Sequence, residues 1–352
     1  MVYLKCKTRI RAHIHYEGEF KMKKIIALAL AAVMALSMVA CGGEKAPVKY
    51  KTGMGIVVSP SLTDATAEKA GKVQMNTTMV VATFDAEGKV VSVSFDVAQQ
   101  ALNVNGDGTT ADASKVDLRT KVEKEYDYYM KDASGIGKEL FEQVNGMEDW
   151  MVGKTIEEIK AAVADGKAVD ADLLATATIK LGDYITAITE AWETATETEN
   201  VAKTGLGQNI TVKGTNAGDK NGSVQVNTNI VGVALDAEGK IVWAKIDVAQ
   251  NSASFDVTGV MQGEVDVRTK VEKGFDYGMG QYAPSGKEYF EHVEALGNWM
   301  LGKTVADVQA METYERDASH TAVPAVEDLK ASCTITVDAY LAALGEAAEL
   351  AK

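Results

Sequence analysis

The sequence predicts an α+β protein of two tandem homologous domains, each a β-hairpin in an antiparallel sheet packed with several helices. Three observations carry this prediction. Long segments recur in the same order, so the chain is written twice. Each copy opens with apolar residues alternating about a short polar turn, as hairpins do. Each continues with apolar residues at helical spacing. "VATFDAEGKVVSVSFDVAQ" at 81–99 returns as "GVALDAEGKIVWAKIDVAQ" at 232–250. "VDLRTKVEKEYDYYM" at 116–130 returns as "VDVRTKVEKGFDYGM" at 265–279, and "GKELFEQVNGMEDWMVGKT" at 137–155 as "GKEYFEHVEALGNWMLGKT" at 286–304. "DLLATATI" at 172–179 and "DLKASCTI" at 328–335 close the copies. The domains are placed at 50–200 and 201–352, with the joint inside the polar, Gly-rich stretch Thr204–Gly222.

In the first copy Val80, Ala82 and Phe84 alternate before the turn, and Val91, Val93 and Phe95 after it. Asp85–Lys89 suits a short hairpin turn, because Gly88 is free to take positive φ, and Asp236–Lys240 is its counterpart. Leu140, Val144, Met147 and Met151 then return at helical spacing, as do Tyr289, Val293, Leu296 and Met300. Ser285 with Glu288 reads as a capping box at the second of these helices, and Thr155 with Glu158 starts another helix. Gly153 and Gly302 stand where the preceding helices should stop. Tyr184, Ile188 and Trp192 mark a closing helix.

The first forty residues differ in kind. Met22–Cys41 has Lys23 and Lys24, then an uncharged run, then small residues before Cys41. That is the pattern of a secretion signal. Ending on "VAC", it resembles the bacterial lipoprotein signal, which implies a signal peptide at 22–40, lipidation of Cys41 and a tether at 41–49. Residues 1–21 are expected to be a misannotated extension, since a basic prefix would hinder recognition of the signal. The expected location is the extracytoplasmic face of the cell membrane, with lipid membrane as a partner through Cys41. Cys333 is then the only thiol left, so no internal disulfide is expected. His292 and His320 have no cysteine cluster beside them, and no metal site is expected. The net charge of −14 argues against nucleic acid.

Tyr126, Tyr128, Phe141 and Trp150, matched by Phe275, Tyr277, Phe290 and Trp299, read first as core; the tyrosines are the better candidates for a ligand. "RTKVEK" at 119–124 and 268–273 reads as a solvated face rather than a phosphate site. No nucleophile, base and acid constellation is visible, and the chain is not expected to be an enzyme beyond electron transfer.

The closing segments resemble the attachment loop of the FMN-binding domain family of secreted and membrane electron-transfer proteins. That family carries an Asp, then a Ser or Thr, a Gly or Ala, an Ala and a Thr ahead of a helix. Asp172 and Thr178, and Asp328 and Thr334, stand at the matching ends. The resemblance implies FMN as cofactor, esterified through its phosphate to Thr178 or Thr334, with Asp172 and Asp328 shaping the loop. It also implies a flavin transferase and a redox partner. Ala175 and Ala331 replace the Ser or Thr, Thr176 and Ser332 replace the Gly or Ala, and Cys333 replaces the Ala. A β-branched Thr176 resists the positive φ that a phosphate-cradling loop uses. Two readings stay open: a lipid-anchored flavin carrier that relays electrons, and a non-enzymatic surface or ligand-binding lipoprotein on the same fold with its flavin site lost.

Overall fold

Strands β1 (Lys49–Thr63), β2 (Gly71–Phe84) and β3 (Val90–Val104) form an antiparallel meander in a computed structural model that describes residues 48–352. The β2–β3 turn is the one the sequence names. Gly88 has φ +77°, and the Asp85 carboxylate accepts from the backbone N–H groups of Glu87 and Lys89. The strict alternation expected after the turn does not hold. The register slips between Thr83 and Phe84, so Val90 is inside at 1% exposure and Val91 outside at 42%. A bulge shifts the faces by one residue. Strand β4 (Thr196–Glu199) pairs with β1 and completes the order β3-β2-β1-β4.

The second copy repeats the meander as β5 (Lys203–Thr215), β6 (Gly222–Leu235) and β7 (Ile241–Phe255), with a two-residue strand at Met261–Gln262 on the edge. The stretch read as a joint is therefore mostly strand β5. Its glycines have a packing reason. A Cβ on Gly205 would lie 1.8 Å from the carbonyl oxygen of Ala347, and one on Gly53 in β1 would lie 1.8 Å from that of Ala191. Helix backbone runs directly over these strands, and only glycine leaves room.

The helices of the first copy are α1 (Leu140–Met151), α2 (Ile156–Ala161), α3 (Ala171–Thr176) and α4 (Gly182–Glu193). Those of the second are α5 (Tyr289–Met300), α6 (Val305–Gln309) and α7 (Asp338–Glu349), preceded by a single helical turn, Lys270–Lys273, capped by Thr269. The fold is α+β, with antiparallel sheets. Thr155 and Glu158 cap α2 reciprocally, and Gly153 and Gly302 take φ +82° and +78° after α1 and α5. Ser285 does not cap α5. Glu288 is the N-cap and its N–H donates to the Glu291 carboxylate, while the Ser285 hydroxyl lies 3.3 Å from His292 Nε2.

Met79 to Phe84 are all fully buried. Val80, Ala82 and Phe84 meet α1 and α4, whereas Met79 and Val81 join a core shared with the second sheet. In the second copy Val231 and Val233 meet the helices, and Ile230 and Ala234 meet the first sheet. The described chain is thus layered helix, sheet, sheet, helix, within one compact unit. Buried strands of this kind read as continuous apolar runs. A chain of buried hydroxyls crosses between the copies: Thr83 Oγ1 lies 3.0 Å from that of Thr52 and 2.9 Å from that of Thr204. Among the described residues no helix is long and apolar enough to cross a membrane. Cys41, the signal and the segment before it lie outside the described residues.

Candidate functional site

Asp170 caps α3, its carboxylate accepting from Leu173 N–H at 2.9 Å, and Asp172 sits exposed in the first turn. Thr178 follows the end of α3 and is exposed. Its hydroxyl donates to the carbonyl of Ser134 at 2.6 Å, and its N–H donates to Gln143 Oε1 at 2.8 Å. Thr178 is thereby held against the chain that enters α1. In the second copy residues 328–335 form turns rather than a helix. Asp328 is exposed, whereas Thr334 is 8% exposed and its hydroxyl is enclosed without a partner. Neither aspartate carboxylate bonds the threonine that follows it.

His292 stands where the first copy has Gln143. Its Nδ1 lies 3.0 Å from the carbonyl oxygen of Ser332 and 3.2 Å from the backbone nitrogen of Thr334, and its Nε2 faces Ser285. Burial lowers its pKa, so the ring is neutral. The Ser332 carbonyl calls for a proton on Nδ1 and the Thr334 N–H for a lone pair there, so these partners ask for opposite tautomers. Cys333 is fully buried, and burial pushes its thiol up to about 12. That thiol is inert.

Beside Thr334, between α5 and α7, lies a cavity of about 600 Å³. Lys270, Tyr277, Tyr289, Tyr340, Thr336 and His320 line it. Tyr289 opens α5 and donates its hydroxyl to that of Tyr340 on α7 at 3.2 Å. Lys270 Nζ stands 5.2 Å from the Tyr277 ring centre and 5.0 Å from that of Tyr289. Burial lowers the Lys270 ammonium to about 8, with Asp247 opposing the shift. Asp247 accepts from the Thr269 hydroxyl at 2.7 Å and from Val271 N–H at 3.1 Å, yet burial still raises it to about 6. The Thr336 hydroxyl is buried without a partner. A hairpin insertion, Thr313–Tyr314 paired with Val323–Pro324, carries His320 to the rim. There its Nδ1 lies 2.7 Å from Asp317, whose carboxyl it holds at about 2.

Sequence reasoning singled out only Tyr277 of this lining as a ligand candidate. Lys270 was hidden in "RTKVEK". The solvated reading of that motif holds for Arg119 and Arg268, which pair with exposed aspartates. It fails for Thr120 and Thr269, which are buried because Asp96 and Asp247 need their hydroxyls. The core reading of the aromatic set fails for Tyr126 and Phe275, both largely exposed. The available signal was the difference between the copies: Leu140 against Tyr289, and Lys180 against Thr336. Among the described residues no cluster of metal-ligating side chains occurs.

No family model matches the chain, and no solved structure matches it. A chlorophenol reductase of Desulfitobacterium hafniense is 32% identical over 126 residues, covering 33% of this chain. The match spans 38% of that protein's length.

Proposed function

We propose that this is a lipid-anchored, extracytoplasmic redox protein that holds FMN in the tyrosine-lined cavity of its second copy and relays electrons to a redox partner. The observation that carries the reading is the cavity itself. Its rings suit a planar heterocycle, and the unpaired Thr336 hydroxyl is a polar atom that a ligand can satisfy. Tyr277 and Tyr289 would hold the ring, and Lys270 would offset phosphate or ring charge. Bound FMN would supply one- or two-electron transfer. The partial likeness to a reductase is consistent with a redox role. Anchoring through Cys41 rests on the signal pattern.

The two threonines differ in their fitness for covalent attachment. Thr334 has its hydroxyl enclosed, so a phosphoester there would need the loop to open. Thr178 is exposed, with the Ser134 carbonyl and Gln143 Oε1 to release. If a flavin transferase acts on this chain, Thr178 is its substrate, and Asp172 would shape the loop; Asp328 would do so for a bound, unattached cofactor. Titration of FMN with purified protein tests the reading. Flavin fluorescence should be quenched on binding, and Tyr289→Leu should weaken binding about tenfold or more. Absence of quenching with the wild type would sink the flavin reading.

One observation favours the second reading, a surface lipoprotein that binds a ligand without flavin. Thr176 ends α3 with its hydroxyl on the Leu173 carbonyl at 2.8 Å, and no residue of 172–179 takes the positive φ of a phosphate-cradling loop.

A further inference from the structure

A second slot lies between α5 and the outer edge of β7, and the two copies treat it differently. In the first copy Glu148 of α1 fills it. This side chain is 4% exposed, and its Oε1 accepts from the N–H of Phe95 on β3 at 2.6 Å. Its Oε2 meets Lys352 Nζ at 2.5 Å. The carboxylate thus satisfies a backbone donor that β3 turns away from its own ladder.

In the second copy the position of Glu148 is Gly297, and that of Phe95 is Ile246. Phe95 pairs with Val80, and Ile246 pairs with Val231 in the same register. By the alternation of antiparallel ladders, Ile246 turns its N–H outward as Phe95 does. Among the described residues no side chain accepts from it. What remains is a cavity of about 420 Å³. Trp243, whose indole N–H donates to Thr196 Oγ1 at 3.0 Å, lines it with Phe290, Val293 and the cation of Lys245. Glu197 and Glu294 also line it, but both are exposed. A donor at an unpaired strand edge inside a cavity is met by water or by the acceptor of a ligand that displaces it.

We propose that this slot binds a small aromatic carboxylic acid, its carboxylate on the Ile246 N–H and its ring between Trp243 and Phe290. The first copy supplies the pattern, since its own side chain places a carboxylate on the equivalent donor. Lys245 in the lining adds positive charge to the slot. Acetate lacks the ring and benzyl alcohol lacks the charge, so neither reproduces both contacts. The proposal does not depend on flavin.

The test is calorimetric titration of the full chain with benzoate, acetate and benzyl alcohol. Benzoate should bind, and the other two should bind at least about tenfold more weakly. Gly297→Glu should abolish benzoate binding, because the introduced carboxylate takes the ligand's place. The helix tolerates a glutamate there in the first copy, and a Cβ on Gly297 would approach only the Ala244 carbonyl, at 3.2 Å. Phe290→Ala, which leaves the helix backbone untouched, should weaken benzoate about tenfold. Equal benzoate binding by wild type and Gly297→Glu would overturn the proposal. So would no benzoate binding by the wild type, or an affinity unchanged by Phe290→Ala.

Discussion

The two copies share their strands, turns and principal helices, and differ in what fills the gaps between them. In the first copy the slot beside the outer strand holds Glu148 against Lys352, and Leu140 and Tyr184 belong to one apolar core. In the second copy Gly297 empties that slot, and Tyr289 with Thr336 lines a second cavity. The framework is indifferent to these exchanges because its strands are buried on both faces and its turns are fixed by local hydrogen bonds. Changes that would be costly in the sheets are tolerated where helix meets strand edge. The slot beside α5 in the second copy thus arises from a side chain lost at a position that Glu148 fills in the first.

The largest expected effect tests the shared scaffold. Gly53→Ala and Gly205→Ala each place a methyl group on a helix carbonyl, 1.8 Å away in both copies. Both should destabilise by more than about 3 kcal/mol in urea unfolding, since overpacking against backbone has no flexible neighbour to yield. A mild effect in one copy alone would show that its helix slides, and the likeness of the copies would fail there.

A smaller effect concerns buried carboxyls. Burial raises Asp96 to about 7 and Asp247 to about 6, and it raises Glu190 and Glu346 to about 7 each. The folded chain therefore holds protons that the unfolded chain releases at lower pH. Stability from these groups is full below the ordinary carboxyl range and is lost as pH rises toward about 7. The melting temperature should fall by several degrees between about pH 5 and about pH 8. Asp96→Asn should flatten that slope more than Asp247→Asn, because its shift is larger. A slope of opposite sign, or one that neither variant changes, would contradict this ordering.

The smallest effect is at the closed slot. Lys352→Ala removes the cation beside Glu148, at a site where the lysine itself is half exposed. The loss should be about 1 kcal/mol and only partly screened by salt, because Glu148 itself is buried. A larger loss would mean that Glu148 depends on Lys352 to remain charged.

Local chemistry made much of the framework readable. The "DAEGK" turns carry both the glycine with positive φ and the aspartate that bonds the turn, so the hairpins follow from five adjacent residues. The helices showed in their apolar spacing. Strands β1 and β5 were not readable, because Gly53, Gly55, Gly205 and Gly207 look like linker until the helix that crosses them is known. Ser285 looked like a cap because its true partner, His292, is a contact across the first helical turns that spacing alone does not rank. The cavity was unreadable for the same reason. Lys270, Tyr289 and Thr336 are far apart in sequence, and each has an ordinary role when read alone. Thr178 and Thr334 look equivalent as letters, yet one is exposed and the other enclosed.

The core between the sheets has a consequence for how such a chain can exist at all. A polypeptide with one copy would present Met54, Ile56, Met75 and Val81 on an uncovered sheet face. Apolar surface of that kind associates. The closest match in shape is a second copy related by a two-fold axis, so residues 50–200 alone should be a symmetric dimer. Joining the copies in one chain makes that association intramolecular and independent of protein concentration. It also frees the halves from identity. Once the partner is always the other half, one half can keep a slot filled, as Glu148 does, while the other opens the equivalent one at Gly297, which no homodimer of a single copy could do.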